Sequence, residues 1–151
     1  MVLAPCSPST PTIEGENMTA ISTPRTASAS DSLLRLAMRV DAIFVGITGI
    51  VLLATAGWFS DLTGLPKSIE YGVGIFSVGY GIVVFALAAM DRVRPAGIGT
   101  AVANALCTVI AVAAVLTMTL TTAGGVIVIA TGIYTAVMAE WQFIGVRRIP
   151  A

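Results

Sequence analysis

The sequence has no histidine. That absence removes imidazole ligation of haem, histidine-based metal sites and the usual general base at neutral pH. Cysteine is nearly absent too: Cys6 stands near the start of the chain and Cys107 inside a long apolar stretch, with no CxxC pair. A thiol redox centre is therefore not expected, a disulfide between these two is implausible, and Cys107 reads as a small hydrophobe. Charge is scarce as well. Only 11% of the 151 residues are charged, against 56% hydrophobic, whereas a soluble domain carries about a quarter charged residues. With a mean hydropathy of +0.93, the composition is that of a membrane protein.

The few charges leave three long gaps, over 42–60, 71–90 and 95–139. A run of about 18 or more apolar residues crosses about 30 Å of hydrocarbon as a helix. The first two gaps hold one span each. The third is long enough for two, separated by "TLTTAGGV", in which Thr121, Thr122, Gly124 and Gly125 supply a turn. Four spans follow, at about 38–59, 69–90, 97–119 and 124–142. Unpaired backbone groups are not tolerated in lipid, and no alternating ten-residue segments suggest a barrel. The expected fold is an all-α, antiparallel transmembrane four-helix bundle over 33–148, behind a tail over 1–32.

Basic residues set the expected orientation. Arg25, Arg35, Arg39, Arg92, Arg94, Arg147 and Arg148 fall on one side of such a bundle, and Lys67 alone on the other. By the positive-inside rule both termini are cytoplasmic in a plasma-membrane, multi-pass protein. Trp58, Phe59, Trp141 and Phe143 are placed like interfacial aromatic belts. The tail, "PCSPSTPTIEGENMTAISTPRTASAS", is rich in Ser, Thr and Pro; it cannot bury enough surface to offset its ordering entropy and is expected to be disordered. It lacks the basic start and apolar core of a signal peptide. "LAPC" is a poor lipoprotein box because no hydrophobic stretch precedes Cys6, and Met18 is a second candidate start.

In lipid, helices associate through close packing, so small residues carry the information. Gly46 and Gly49 share a face of the first span, as do Gly74, Ser77 and Gly81 in the second, and Gly132 and Ala136 in the fourth. These faces either build the bundle internally or, for "GIFSVGYG", join a second copy or a partner. On this reading Gly81→Leu forces helices apart while Thr55→Val is tolerated. Two readings are open for the polar residues. In one, Asp41 and Glu140 form an interfacial ion-pair cluster with Arg39, Arg94 or Arg147, and Asn104 makes an interhelical hydrogen bond with Tyr80 or Tyr134. In the other, Asp41, Thr48 and Asn104 line an entrance for a proton or small solute.

The order "LRLAMRVDAIFVGITGI", "DLTGLP", "VANAL" and "AEWQFIGVRR" resembles a group of small four-span integral membrane proteins of actinobacteria, over about residues 33–148. Seven arginines against one lysine, with abundant Ala, Gly and Val, agree with a GC-rich genome. Cys107 stands where an aromatic is common in that group, and DoxX-like four-helix proteins are a more distant comparison. The resemblance implies a four-span membrane scaffold without an assigned reaction. The leading functional expectation is a non-enzymatic packing or accessory module, in a homo-oligomer or a larger membrane complex. A transporter or channel is the alternative, and a lipid- or quinone-directed enzyme using Asp41, Glu140 and Tyr134 ranks last. Besides the lipid bilayer, the expected partner is protein rather than nucleic acid, and no cofactor or metal is expected.

Overall fold

A computed structural model describes residues 29–149. It contains four helices, α1 (Ala29–Thr63), α2 (Lys67–Leu87), α3 (Val93–Thr117) and α4 (Thr122–Arg147), and no strand among the described residues. Each helix is long and apolar enough to cross a membrane. The protein is thus an all-α membrane protein.

The helices differ from the apolar windows at their ends. α1 begins at Ala29 and ends at Thr63, beyond both limits expected for the first span. Helical structure does not stop where hydrocarbon does: Asp31 in the first turn complements the helix dipole, and Arg35 and Arg39 continue the helix into a polar zone. The tail boundary at 32 is therefore too late, since 29–32 belong to α1. The expected disorder of the preceding residues, Cys6, Arg25 and the choice of start codon lie outside the described residues. The α3–α4 connection is also displaced. The break falls at 118–121, Thr121 caps α4 by accepting from the Gly124 amide at 2.9 Å, and Gly124 and Gly125 lie within the first turn of α4. Gly124 is buried there because a Cβ would collide with the Thr63 carbonyl of α1.

The "DLTGLP" segment makes the α1–α2 turn. Gly64 adopts φ +80°, a left-handed conformation suited to glycine at a helix end. Its amide bonds to Ser60 O at 2.9 Å, and Pro66 begins α2 without needing an amide hydrogen. α1 is the central helix. It packs most closely on α2, forms a second interface with α4 and touches α3; α3 and α4 form the other hairpin, while the backbones of α2 and α4 stay apart.

Close backbone approach explains the α1–α2 hairpin. A Cβ on Gly81 would lie 2.7 Å from Ala42 O and 2.9 Å from Gly46 Cα, and one on Gly49 would lie 2.8 Å from Ser77 Cβ and 2.9 Å from Gly74 O. The "GIFSVGYG" face is consequently filled by α1 of the same chain. Near the start of α1, the fully buried Leu34 fits between Gly97 of α3 and Gly145 of α4. Leu34, Met38, Ala42, Val84, Ala88, Val93 and Val146 form one apolar cluster at this arginine-rich end. On α4 the inward stripe runs through Gly132, Thr135, Met138 and Gln142. Ala136, expected to pack, is instead exposed in a groove between α3 and α4, because it lies one helical step off that stripe.

Candidate functional site

Asp41 is fully buried and meets side chains from every other helix. Its Oδ2 accepts from Tyr80 Oη of α2 at 2.8 Å, Asn104 Nδ2 of α3 at 2.8 Å and Gln142 Nε2 of α4 at 3.0 Å. Its Oδ1 accepts from Tyr134 Oη of α4 at 3.1 Å. Asn104 Nδ2 also faces Tyr80 Oη at 3.1 Å and Gln142 Oε1 at 3.2 Å, so its two hydrogens are shared among three acceptors. The hub is a carboxylate held by four neutral donors.

Local sequence explains how each donor arrives. Both tyrosines are half-buried, with their hydroxyls turned in to Asp41. Phe44 packs on Tyr134 with centroids 4.6 Å apart, and Phe76 stacks on Tyr80 at 6.0 Å. Each of these exposed phenylalanines thus packs on the ring of a tyrosine whose hydroxyl bonds Asp41. One turn further along α3, Thr108 Oγ1 donates to Asn104 O at 3.1 Å and pairs with Thr135 Oγ1 at 2.8 Å. Beyond that pair the α3–α4 surface is apolar: Ala111, Val112, Val115, Leu116 and Val128 line a groove there.

The arginines expected around Asp41 stand elsewhere. Arg39 is exposed, because two residues along a helix rotate it about 200° from Asp41. Arg147 lies over the Phe143 ring, 5.6 Å from its centroid, and Glu140 is exposed. Arg94 Nε is buried without a hydrogen-bond partner among the described residues. Arg35 is the arginine that closes this end, donating to Ala88 O at 2.8 Å and Asp91 O at 3.2 Å at the end of α2. Thr48 does not join the hub either. It is exposed, and the buried position at that level of α1 is Gly49. The direct bond between Asp41 and Asn104 puts them on one level, about 9 Å along α1 from Arg35.

Gln142 and Glu70 also belong to the polar framework, and their helical spacing carries the signal. Gln142 follows Thr135 and Met138 at seven and four residues, and Glu70 precedes Gly74, Ser77 and Gly81 on one helical face. Glu70 forms a second polar site at the opposite end of the bundle. Thr63 Oγ1 donates to Glu70 Oε1 at 2.7 Å and accepts from Leu65 N at 3.1 Å. Thr121 ties this turn to the α3–α4 turn through Thr63 O, at 3.0 Å from its amide, and through its hydroxyl to Leu62 O. We expect Thr63→Val to destabilise the protein by about 1–2 kcal/mol, since both hydroxyl bonds are lost in a buried setting. Thr131→Val, which loses only a bond to Ile127 O of its own helix, should leave the unfolding midpoint unchanged in a thermal scan in detergent. Equal midpoints for the two variants would refute this role of Thr63.

No three His, Cys, Asp or Glu side chains gather as a metal site among the described residues. Comparison with known proteins finds no matching family model, no similar curated protein and no similar solved structure.

Proposed function

We propose that the protein is a non-enzymatic membrane module, a rigid four-helix scaffold that serves as an accessory subunit of a membrane complex or as the unit of a homo-oligomer. The observation that carries this reading is the hub, which joins all four helices. Asp41, Tyr80, Asn104, Tyr134 and Gln142 hydrogen-bond with one another there. Such a network specifies one arrangement of helices, because any shift strands a polar group in a low-dielectric interior. Recognition is then left to the lipid-facing surface and the short turns. The basic residues at one end favour a plasma membrane orientation with both termini and the α2–α3 turn cytoplasmic. The likeness to small four-span actinobacterial proteins is compatible with this scaffold role.

Native mass spectrometry of the protein gently extracted from its own membrane tests the proposal. A discrete oligomer or a stoichiometric complex is the expected result; a bare monomer would overturn it.

A second reading rests on one specific observation: a buried carboxylate whose hydrogen-bond partners are all neutral. Intramembrane carboxylates mark proton or cation sites in many membrane proteins, and a route here would run from Asp41 through Asn104 to Thr108 and Thr135. Unchanged ion or proton flux for Asp41→Asn in reconstituted vesicles would remove this alternative.

A further inference from the structure

Two grooves run along the apolar surface of the bundle, and they differ in what stands at their ends. One, between α3 and α4, lies along the half of those helices away from the arginines and has no basic residue among its lining. The other lies between α1 and α2, with a volume of about 550 Å³, and its lining includes Gly46 and Gly81, Ile43, Ile47, Phe85 and Ala86. It exists because the glycine contact that brings the two backbones together leaves a trough flanked by longer side chains.

This trough opens toward the arginine-rich end. Arg39 precedes Ile43 by four residues and Gly46 by seven, so it continues the α1 wall of the groove by one turn. Its side chain leans further toward the N-terminus of the helix, as side chains on helices do. Arg35, one turn beyond, is already committed to Ala88 O and Asp91 O. Arg39 is exposed and has no hydrogen bond or ion pair among the described residues. An apolar trough in the hydrocarbon thus ends at an uncommitted guanidinium near the level of the headgroups.

We propose that the α1–α2 groove binds one acyl chain of an anionic phospholipid, with the lipid phosphate held by Arg39. A guanidinium presents paired donors that match phosphate oxygens, and the aliphatic stem of arginine extends the apolar wall. Charge favours this occupant over a second copy of the chain. A copy seated in the same groove by a two-fold axis along the membrane normal would bring two Arg39 side chains together. The proposal does not depend on the accessory-module reading.

The test uses the full chain in a neutral detergent, titrated with phosphatidylglycerol or with phosphatidylcholine of the same acyl chains, and counts bound lipids by native mass spectrometry. The first phosphatidylglycerol should bind about five-fold tighter than phosphatidylcholine. Arg39→Gln should abolish that preference, and Ala86→Phe, at an exposed position that fills the trough, should weaken the first binding event for both lipids. Arg148→Gln, an exposed arginine away from the groove, should leave the preference intact. Survival of the preference in Arg39→Gln would overturn the site, as would an equal loss in Arg148→Gln, which would indicate a diffuse basic rim. Dimers that exclude lipid would overturn it in favour of self-association.

Discussion

Replacing Asp41 by leucine should destabilise the folded bundle by about 2–4 kcal/mol. Four donors converge on the carboxylate, and interhelical hydrogen bonds in membranes average about 0.6 kcal/mol and reach about 1–2 kcal/mol. Stranding the tyrosine and amide groups in the interior moves the sum toward the upper part of that range. The geometry also distinguishes a second variant. Three of the bonds end on Oδ2 and only one, from the Tyr134 hydroxyl, on Oδ1. In Asp41→Asn the amide oxygen can take the place of Oδ2, and the amide NH2 can donate to the Tyr134 oxygen once that hydroxyl rotates. The asparagine variant should therefore cost about 1 kcal/mol and keep the fold, which is also what makes it the suitable probe for transport. Reversible unfolding in mixed micelles, followed by fluorescence of Trp58 and Trp141, reads both numbers. A leucine variant as stable as the parent would mean that the hub contributes no more than a packed apolar core does.

The two outcomes separate the functional readings as well as the energetics. A hub built only to fix the helices tolerates asparagine at Asp41 in every assay, including assembly with partners. A hub that carries a proton or cation keeps its fold with asparagine but loses flux. Stability alone cannot distinguish these, because the same four bonds serve both.

What could be read from the sequence divides along physical lines. The four spans follow from charge spacing, because the cost of burying charge in hydrocarbon exceeds any local helix preference. Helix ends do not follow from it: α1 extends from Ala29 to Thr63 because its terminal turns lie among polar groups where apolar spacing carries no signal. The hub was half legible. Asp41 and Asn104 stand out as polar residues in apolar surroundings, and Tyr80 and Tyr134 lie at the right depth. The partners of Asp41 were not legible, since opposite charges near one another in sequence suggest ion pairs. Helical rotation instead sends Arg39 outward and Asp41 inward. Gln142 was obscured by its neighbours in "AEWQFIGVRR", where the aromatic and basic residues read as an interface. Tertiary pairing of α1 with α4 brings that segment back over Asp41, and no local pattern encodes that pairing.

Gly81→Leu should disrupt the α1–α2 hairpin at a cost of about 3 kcal/mol or more. Even a methyl group there meets backbone, Ala42 O at 2.7 Å and Gly46 Cα at 2.9 Å, and backbone cannot rotate out of the way as a side-chain terminus can. Gly79 is the internal control. A Cβ on Gly79 has nothing within 4 Å, so Gly79→Leu projects into lipid and should leave stability unchanged, or raise it slightly through helix propensity. Thr55→Val should also be tolerated, because its hydroxyl bonds only to Val51 O of its own helix, at 2.7 Å. The site of the collision gives a further test. Ala42 is the neighbour of Asp41, so a leucine that pushes α1 away at Ala42 also draws the carboxylate from Tyr80 and Asn104. Damage at Gly81 and damage at Asp41 are then partly the same damage. The double variant Gly81→Leu/Asp41→Leu should lose clearly less than the sum of the two single losses, whereas sites that act independently add within about 0.5 kcal/mol. Additive losses would show that the glycine contact and the polar hub hold the helices separately, and that the close approach of α1 and α2 does not set the position of Asp41.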